Sequence, residues 1–216
     1  MIRQFGLIDM YFLAAAMRWT VLLTLSAFAG GALIGLVIAV MRVSNLLILR
    51  ALAVCYIQIV QGTPLLVILF VFFFGLSIFG LPVKPWIATT AAFSIYAGAF
   101  LGEIWRGSLQ SIPKTQWEAG GSLGLGFAEQ LRWVIIPQAV RIAIPPTVGF
   151  LVQLIKNTSL AATIGFVELT REGQLTTAST FQPFTVYITV ALFYFAMCFP
   201  LSQWSHSLER KLDVAR

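Results

Sequence analysis

Apolar runs of about 20 residues recur five times along the 216-residue chain, and this repetition restricts the fold more than any other feature. An α-helix needs about 20 residues to cross the ~30 Å hydrocarbon core at 1.5 Å per residue. Only 10% of the residues are charged and 59% are hydrophobic, where a typical soluble domain is about a quarter charged. The expected spans are Thr20 to Met41, Ala51 to Phe74, Trp86 to Trp105, Ile142 to Gly165 and Phe184 to Trp204. The reading is an all-α integral membrane protein: one transmembrane domain over residues 1–216, with five helices and a long polar loop over about 107–141.

The net charge of +6 does not indicate nucleic acid. The 14 Lys and Arg residues are scattered at the ends of apolar runs and form no basic face or RNA-binding motif. They do indicate topology. With the C-terminus in the cytoplasm, the inner segments hold Arg42, Arg50, Arg106, Lys114, Arg132, Arg141, Arg210, Lys211 and Arg216. The outer ones hold Arg3, Arg18, Lys84 and Arg171. The excess of basic residues in cytoplasmic loops favours this orientation, with a periplasmic N-terminus. Trp19, Trp86, Trp105 and Trp204 fall near span ends, where an amphipathic indole suits the headgroup layer. Arg3, Asp9 and Arg18 break up the first residues, which read as an interfacial helix leading into the first span rather than a cleaved signal peptide. Cys55 and Cys198 lie inside spans and behave as small apolar residues.

Small residues mark where helices can approach closely. Ala27, Gly31, Gly35 and Ala39 recur every four residues in the first span, as do Ser94, Gly98 and Gly102 in the third. Both faces are expected to be packed against protein, although glycine is also simply common in membrane helices. The inner loop reads as two short helices. Thr115-x-x-Glu118 is a capping-box pattern, and Gly124 and Gly126 supply stops. Ala128 to Val134 forms the second, ending before Pro137.

From Glu118 the loop runs Glu118-Ala119-Gly120-Gly121-Ser122-Leu123-Gly124, then nine residues, then Val134-Ile135-Ile136-Pro137. It resembles the cytoplasmic EAA loop of ABC importer permeases, Glu-Ala-Ala, three residues, Gly, nine residues, Ile-x-Leu-Pro. Gly120 replaces the second Ala, and Val134 and Ile136 replace Ile and Leu. Further blocks resemble the polar amino acid permeases in particular: Gly62-Thr63-Pro64-Leu65-Leu66, Glu103-Ile104-x-Arg106-Gly107, Gln110-Ser111-Ile112-Pro113, Gln116-Trp117-Glu118 and Lys156-Asn157-Thr158-Ser159-Leu160. Gln61 stands where that family frequently has Arg.

This resemblance implies a type I importer: two permease subunits, a dimer of cytoplasmic ABC ATPases and a periplasmic amino-acid-binding protein. It implies that this chain binds no cofactor, ATP and Mg being held by the partner ATPase. The residues agree, since no G-x-x-x-x-G-K-[ST] phosphate loop and no His-Glu-x-x-His occurs. His206, at the inner end of the last span, reads as an interface residue. The inner helix would dock in a groove of the ATPase and transmit rigid-body motion. In this reading Glu118 caps the helix and meets a basic partner side chain, Ala119, Gly120 and Gly121 allow close docking, and Gly124 and Pro137 bound the element.

Two ionisable residues fall inside the spans, where a charge costs on the order of 3 kcal/mol at a helix centre. Lys156 lies about 21 Å along the fourth helix from Ile142, in the outer half of the membrane. Its ammonium is a candidate partner for a solute carboxylate, with Gln153, Asn157, Thr158 and Ser159 as neutral partners. Snorkelling or an internal ion pair is the structural alternative. Glu103 stands one helical turn from Arg106, so a local ion pair accounts for it, with a place at the inner mouth as the other reading. Pro64 interrupts the second helix, and Gly62 and Thr63 beside it allow freed carbonyls to face a polar cavity or merely a packing kink. A secondary transporter or channel subunit without a partner ATPase would use similar devices. No internal repeat supports that rival, and no nucleophile–base pair or metal-ligand cluster supports a membrane enzyme.

Overall fold

The computed structural model describes residues 4–213, and these residues form helices and connecting turns without a strand. The helices are α1 Leu7–Val43, α2 Leu47–Gly62, α3 Leu65–Ile78, α4 Pro85–Gln110, α5 Lys114–Ser122, α6 Phe127–Ile164, α7 Leu169–Thr180 and α8 Pro183–Asp213. Four of them, α1, α4, α6 and α8, are long and apolar enough to cross a membrane alone. The fifth crossing is the pair α2 and α3, bent by 101° at the Gly62-Thr63-Pro64 break.

Several expected boundaries are corrected. The first span does not begin at Thr20 behind a separate interfacial helix. α1 is one 37-residue helix from Leu7, about 55 Å long, because neither Asp9 nor Arg18 carries a backbone constraint that would interrupt it. The second span, Ala51 to Phe74, is two legs of a bent pair, since Pro64 lacks the N–H that would continue the helix. The expected helix Ala128 to Val134 does not stop before Pro137. It passes through a π-helical turn at Leu131–Ile135 into Ile136–Asn157, where Pro137 sits in the first turn and its missing N–H is accommodated. The helix that carries the fourth span therefore starts at Phe127, well before Ile142, and its last turns tighten to a 3₁₀ helix over Thr158–Ile164.

The small-residue faces pack on each other. α1 and α4 run parallel, with Gly30 against Ser94, Gly31 against Ala97 and Gly35 against Leu101 and Gly102. A Cβ on Gly31 would lie 2.4 Å from the Ala97 Cβ, and one on Gly98 would lie 2.4 Å from the Ile34 Cγ2. No side chain fits between these backbones, so glycine is required by proximity. Around this seam, Leu23, Leu65, Leu69, Phe93, Leu101, Phe150 and Leu154 form a core drawn from α1, α3, α4 and α6. Stacked rings of Phe100 and Phe150, 5.4 Å apart, hold α6 antiparallel to α4.

Candidate functional site

The two ends of the bundle are fixed by aromatic and polar contacts. At one end Trp86 meets Trp19 at 6.1 Å and Phe166 at 5.5 Å. At the other, the Trp105 indole N–H donates to the Thr147 hydroxyl at 3.1 Å. Lys156 stands midway in sequence between Thr147 of α6 and Phe166, just beyond the end of α6, and so about halfway between these two aromatic contacts.

Lys156 is exposed on the isolated chain and has no ion-pair partner among the described residues. It lies close enough to the Cys198 thiol on α8 for an electrostatic interaction. One turn before it, the Gln153 amide donates to Asn157 Oδ1 at 3.3 Å, and Asn157 lies beside the Tyr96 hydroxyl. Gln153, Lys156 and Asn157 thus form one polar patch. Thr158 and Ser159 do not join it: their hydroxyls donate back to the carbonyls of Ile155 and Lys156, at 2.7 and 2.8 Å, and Thr158 is buried. They shape the tightened turn that follows the patch.

The Gly62-Thr63-Pro64 break faces the same core, since Val60 and Leu65 on either side of it pack in the cluster that contains Leu154 and Ala161. Thr63 Oγ1 donates to the Ile59 carbonyl at 2.7 Å and Gln61 Nε2 donates to the Ala99 carbonyl at 3.5 Å. Thr63 thus satisfies one carbonyl freed by the break, as irregular backbone at membrane depth requires, and Gln61 ties the break to α4.

Glu103 is held in an ion pair. Arg106 grips it with Nε at 3.0 Å and Nη2 at 2.7 Å, and Arg42 of α1 adds Nε at 3.0 Å. Arg106 also reaches Gln110. The i, i+3 pair was legible in sequence; the third member, 61 residues away, was not.

At the Trp105 end of the bundle, α5 runs nine residues from Lys114 to Ser122. The Thr115-x-x-Glu118 capping box is absent, because Pro113 occupies the N-cap and shifts the start of the helix by two residues. The stop is as expected. Gly124 has φ +76°, and Leu125 N–H donates to the Gly120 carbonyl at 3.1 Å in a left-handed terminal turn. Trp117 stacks on Phe127 at 5.6 Å, while Gln138 Nε2 bonds Gln116 Oε1 at 3.2 Å, so one face of α5 is fixed to α6. Gly120 belongs to that inner face: a Cβ there would stand 2.9 Å from Gln130 Cγ. Glu118, Ala119, Gly121 and Leu123 are exposed, Leu123 by 80%. Pro137 is exposed on α6.

Sequence reasoning missed Glu168. It is fully buried as the N-cap of α7, accepting Arg171 N–H at 2.9 Å and the Tyr194 hydroxyl of α8 at 2.7 Å. Thr20 of α1 lies at 3.5 Å from it and accepts Leu169 N–H at 3.2 Å. Burial pushes this carboxyl above its ordinary value, against the opposing pull of its hydrogen bonds. The only sequence signal was an acidic residue just before a polar stretch at Leu169.

A broken helix beside a polar patch on a spanning helix, with a rigid helix projecting at one end, defines a membrane-embedded transport subunit. The family model described as "Binding-protein-dependent transport system inner membrane component" matches residues 31–214, and the chain belongs to that family of multi-pass inner-membrane proteins. It is 39% identical over 202 residues to the L-cystine transport system permease protein TcyB of Bacillus subtilis (strain 168), covering 93% of this chain and 86% of that one. It is 38% identical over 193 residues to the probable amino-acid ABC transporter permease protein YckA of the same organism, covering 89% and 85%. With the glutamine transport system permease protein GlnP of Escherichia coli (strain K12) it shares 35% identity over 199 residues, 91% of each. The fold superposes on a solved amino acid ABC transporter with histidines at TM-score 0.89, 32% identity and coverage of 97% and 100%. A likeness to the MetNI methionine ABC transporter, at TM-score 0.72 and 18% identity over 94% and 99%, concerns the fold alone.

Proposed function

We propose that the chain is the translocating subunit of an ATP-driven importer for a polar amino acid. In this reading a second permease subunit, a dimeric ABC ATPase and a periplasmic amino-acid-binding protein complete the assembly. The N-terminus is periplasmic and the C-terminus cytoplasmic. The chain itself has no hydrolytic role, and ATP and Mg belong to the ATPase. The observation that carries the proposal is α5: one face is fixed to the long α6, and Glu118, Ala119, Gly121 and Leu123 are exposed. A short rigid element of this kind docks in a partner groove and moves its parent helix as a lever. That parent helix carries Gln153, Lys156 and Asn157, so motion at the inner face reaches the polar patch through continuous helix. The Lys156 ammonium pairs there with the solute α-carboxylate, a group common to amino acids with different side chains.

The test is uptake into vesicles reconstituted with the permease, its ATPase and its binding protein. Uptake is expected to require ATP inside and binding protein outside. Accumulation driven by an ion gradient, without the ATPase, would transfer the chain to the secondary transporters.

A further inference from the structure

The ion-paired cluster at the inner ends of α1 and α4 is not electrically closed. Glu103 is one carboxylate held by two guanidinium groups, which leaves one positive charge in excess. Arg106 commits its Nε and both η nitrogens to Glu103 and Gln110. Arg42 commits only Nε, and its η nitrogens have no partner among the described residues. Arg42 lines a pocket of about 190 Å³ whose other walls are Val54, Ile57, Gln58 and Glu103. The Gln58 amide is likewise without a partner there. Arg50 lies one turn before Val54 on the same face of α2 and adds a further positive charge.

We propose that this pocket binds the phosphate of an anionic phospholipid headgroup. Planar guanidinium forks match phosphate oxygens, and basic pockets between transmembrane helices on the cytoplasmic side favour anionic headgroups. Depth agrees, since Glu103 stands two residues before the belt residue Trp105. The apolar surroundings separate a lipid from a soluble anion. Val54 and Ile57 form part of the wall, and Leu47, two turns before Val54 on the same face of α2, is exposed by 69%. A lipid covers charge and apolar surface together, whereas free phosphate leaves the apolar part bare. The proposal uses the orientation given above only to name the inner leaflet as the source.

The experiment counts lipids retained by the purified full-length chain, with the subunits that accompany it, by native mass spectrometry. Phosphatidylglycerol and phosphatidylcholine are supplied in equal amounts. Preferential retention of phosphatidylglycerol is expected, reduced about tenfold by Arg42→Gln and about threefold by Gln58→Leu. Gln58→Leu leaves the Glu103–Arg106 pair intact, so the test survives if Arg42→Gln fails to assemble. Equal retention of the two lipids, or unchanged retention in the variants that assemble, overturns the proposal. Displacement of the lipid by millimolar inorganic phosphate assigns the pocket to a free anion and also overturns it. Because retention is counted on purified protein, this result is independent of whether uptake needs ATP.

Discussion

Two residues show how a charge is tolerated inside this bundle, and they differ in what satisfies them. Lys156 sits on a membrane-spanning helix without a carboxylate partner among the described residues, beside Gln153 and Asn157. A cation left in that position fits a partner that arrives and leaves. Lys156→Met keeps stem volume and removes charge, so uptake in the reconstituted system is expected to fall about tenfold or more while the yield of assembled complex holds. Arginine should restore part of the rate, its fork needing a different geometry. Wild-type uptake by the methionine variant would remove Lys156 from the path. Glu168, in contrast, is satisfied entirely from within by Arg171 N–H, Tyr194 and Thr20. Its folded-state pKa is raised, so the native protein holds the proton more tightly than the unfolded chain does. The associated stability is full below the ordinary glutamate range and is lost as pH rises through the raised value. The thermal midpoint of the purified protein should therefore decline on the alkaline side of that range, and Glu168→Gln, which cannot ionise, should lack this component of the decline. Glu168→Leu strands the buried Thr20 hydroxyl and the Arg171 N–H and should cost about 2 kcal/mol below the ordinary glutamate range, and less as pH rises through the raised value. Lys156 was legible in sequence because a lone charge inside an apolar run is conspicuous. Glu168 was not, because Thr20 is 148 residues away and the segment around α7 reads as an outer loop.

At the scale of elements, the α1–α4 seam and the α5 turn depend on glycine for different reasons. Gly31 is needed for space, its missing Cβ leaving room for Ala97. Gly31→Val should overpack the seam by about 1–3 kcal/mol and lower the melting temperature of the purified protein. An unchanged melting temperature would show that the helices separate at little cost. Gly124 is needed for its backbone, at φ +76° with no neighbour within reach of a Cβ. Gly124→Val should cost on the order of 1–2 kcal/mol locally, loosening the end of α5. The expected outcome is weaker co-purification of the ATPase with insertion unchanged; equal recovery of the ATPase would remove the α5 turn from coupling. The four-residue spacing of small residues announced the seam before the structure paired its two sides. The α2–α3 bend was announced by Pro64, but its 101° angle was not, since an angle is set by what the second leg packs against.

At the scale of the whole molecule, the basic residues and the path of the chain agree on one arrangement. Trp19, Trp86 and Phe166 meet at one end, while Arg42, Glu103 and Arg106 meet at the other. In a background with Cys55 and Cys198 replaced by serine, a cysteine at Glu172 should react with a membrane-impermeant maleimide in intact cells. A cysteine at Lys114 should react only after the membrane is permeabilised. The reverse pattern would invert the topology. The sequence by itself determined the medium, the number of crossings, the small-residue faces and the inner helix with its glycine stop. Those depend on local terms: transfer of apolar side chains into lipid, backbone hydrogen bonding within each segment and the φ a glycine permits. Only the tertiary structure decided that α1 is a single helix from Leu7 and that α6 runs through Pro137. The same holds for the burial of Gly120 against Gln130 and for the union of Arg42 with Glu103 and of Glu168 with Thr20 and Tyr194. Each of these depends on residues distant in sequence becoming neighbours, and hydropathy and spacing along one chain carry no term for that proximity.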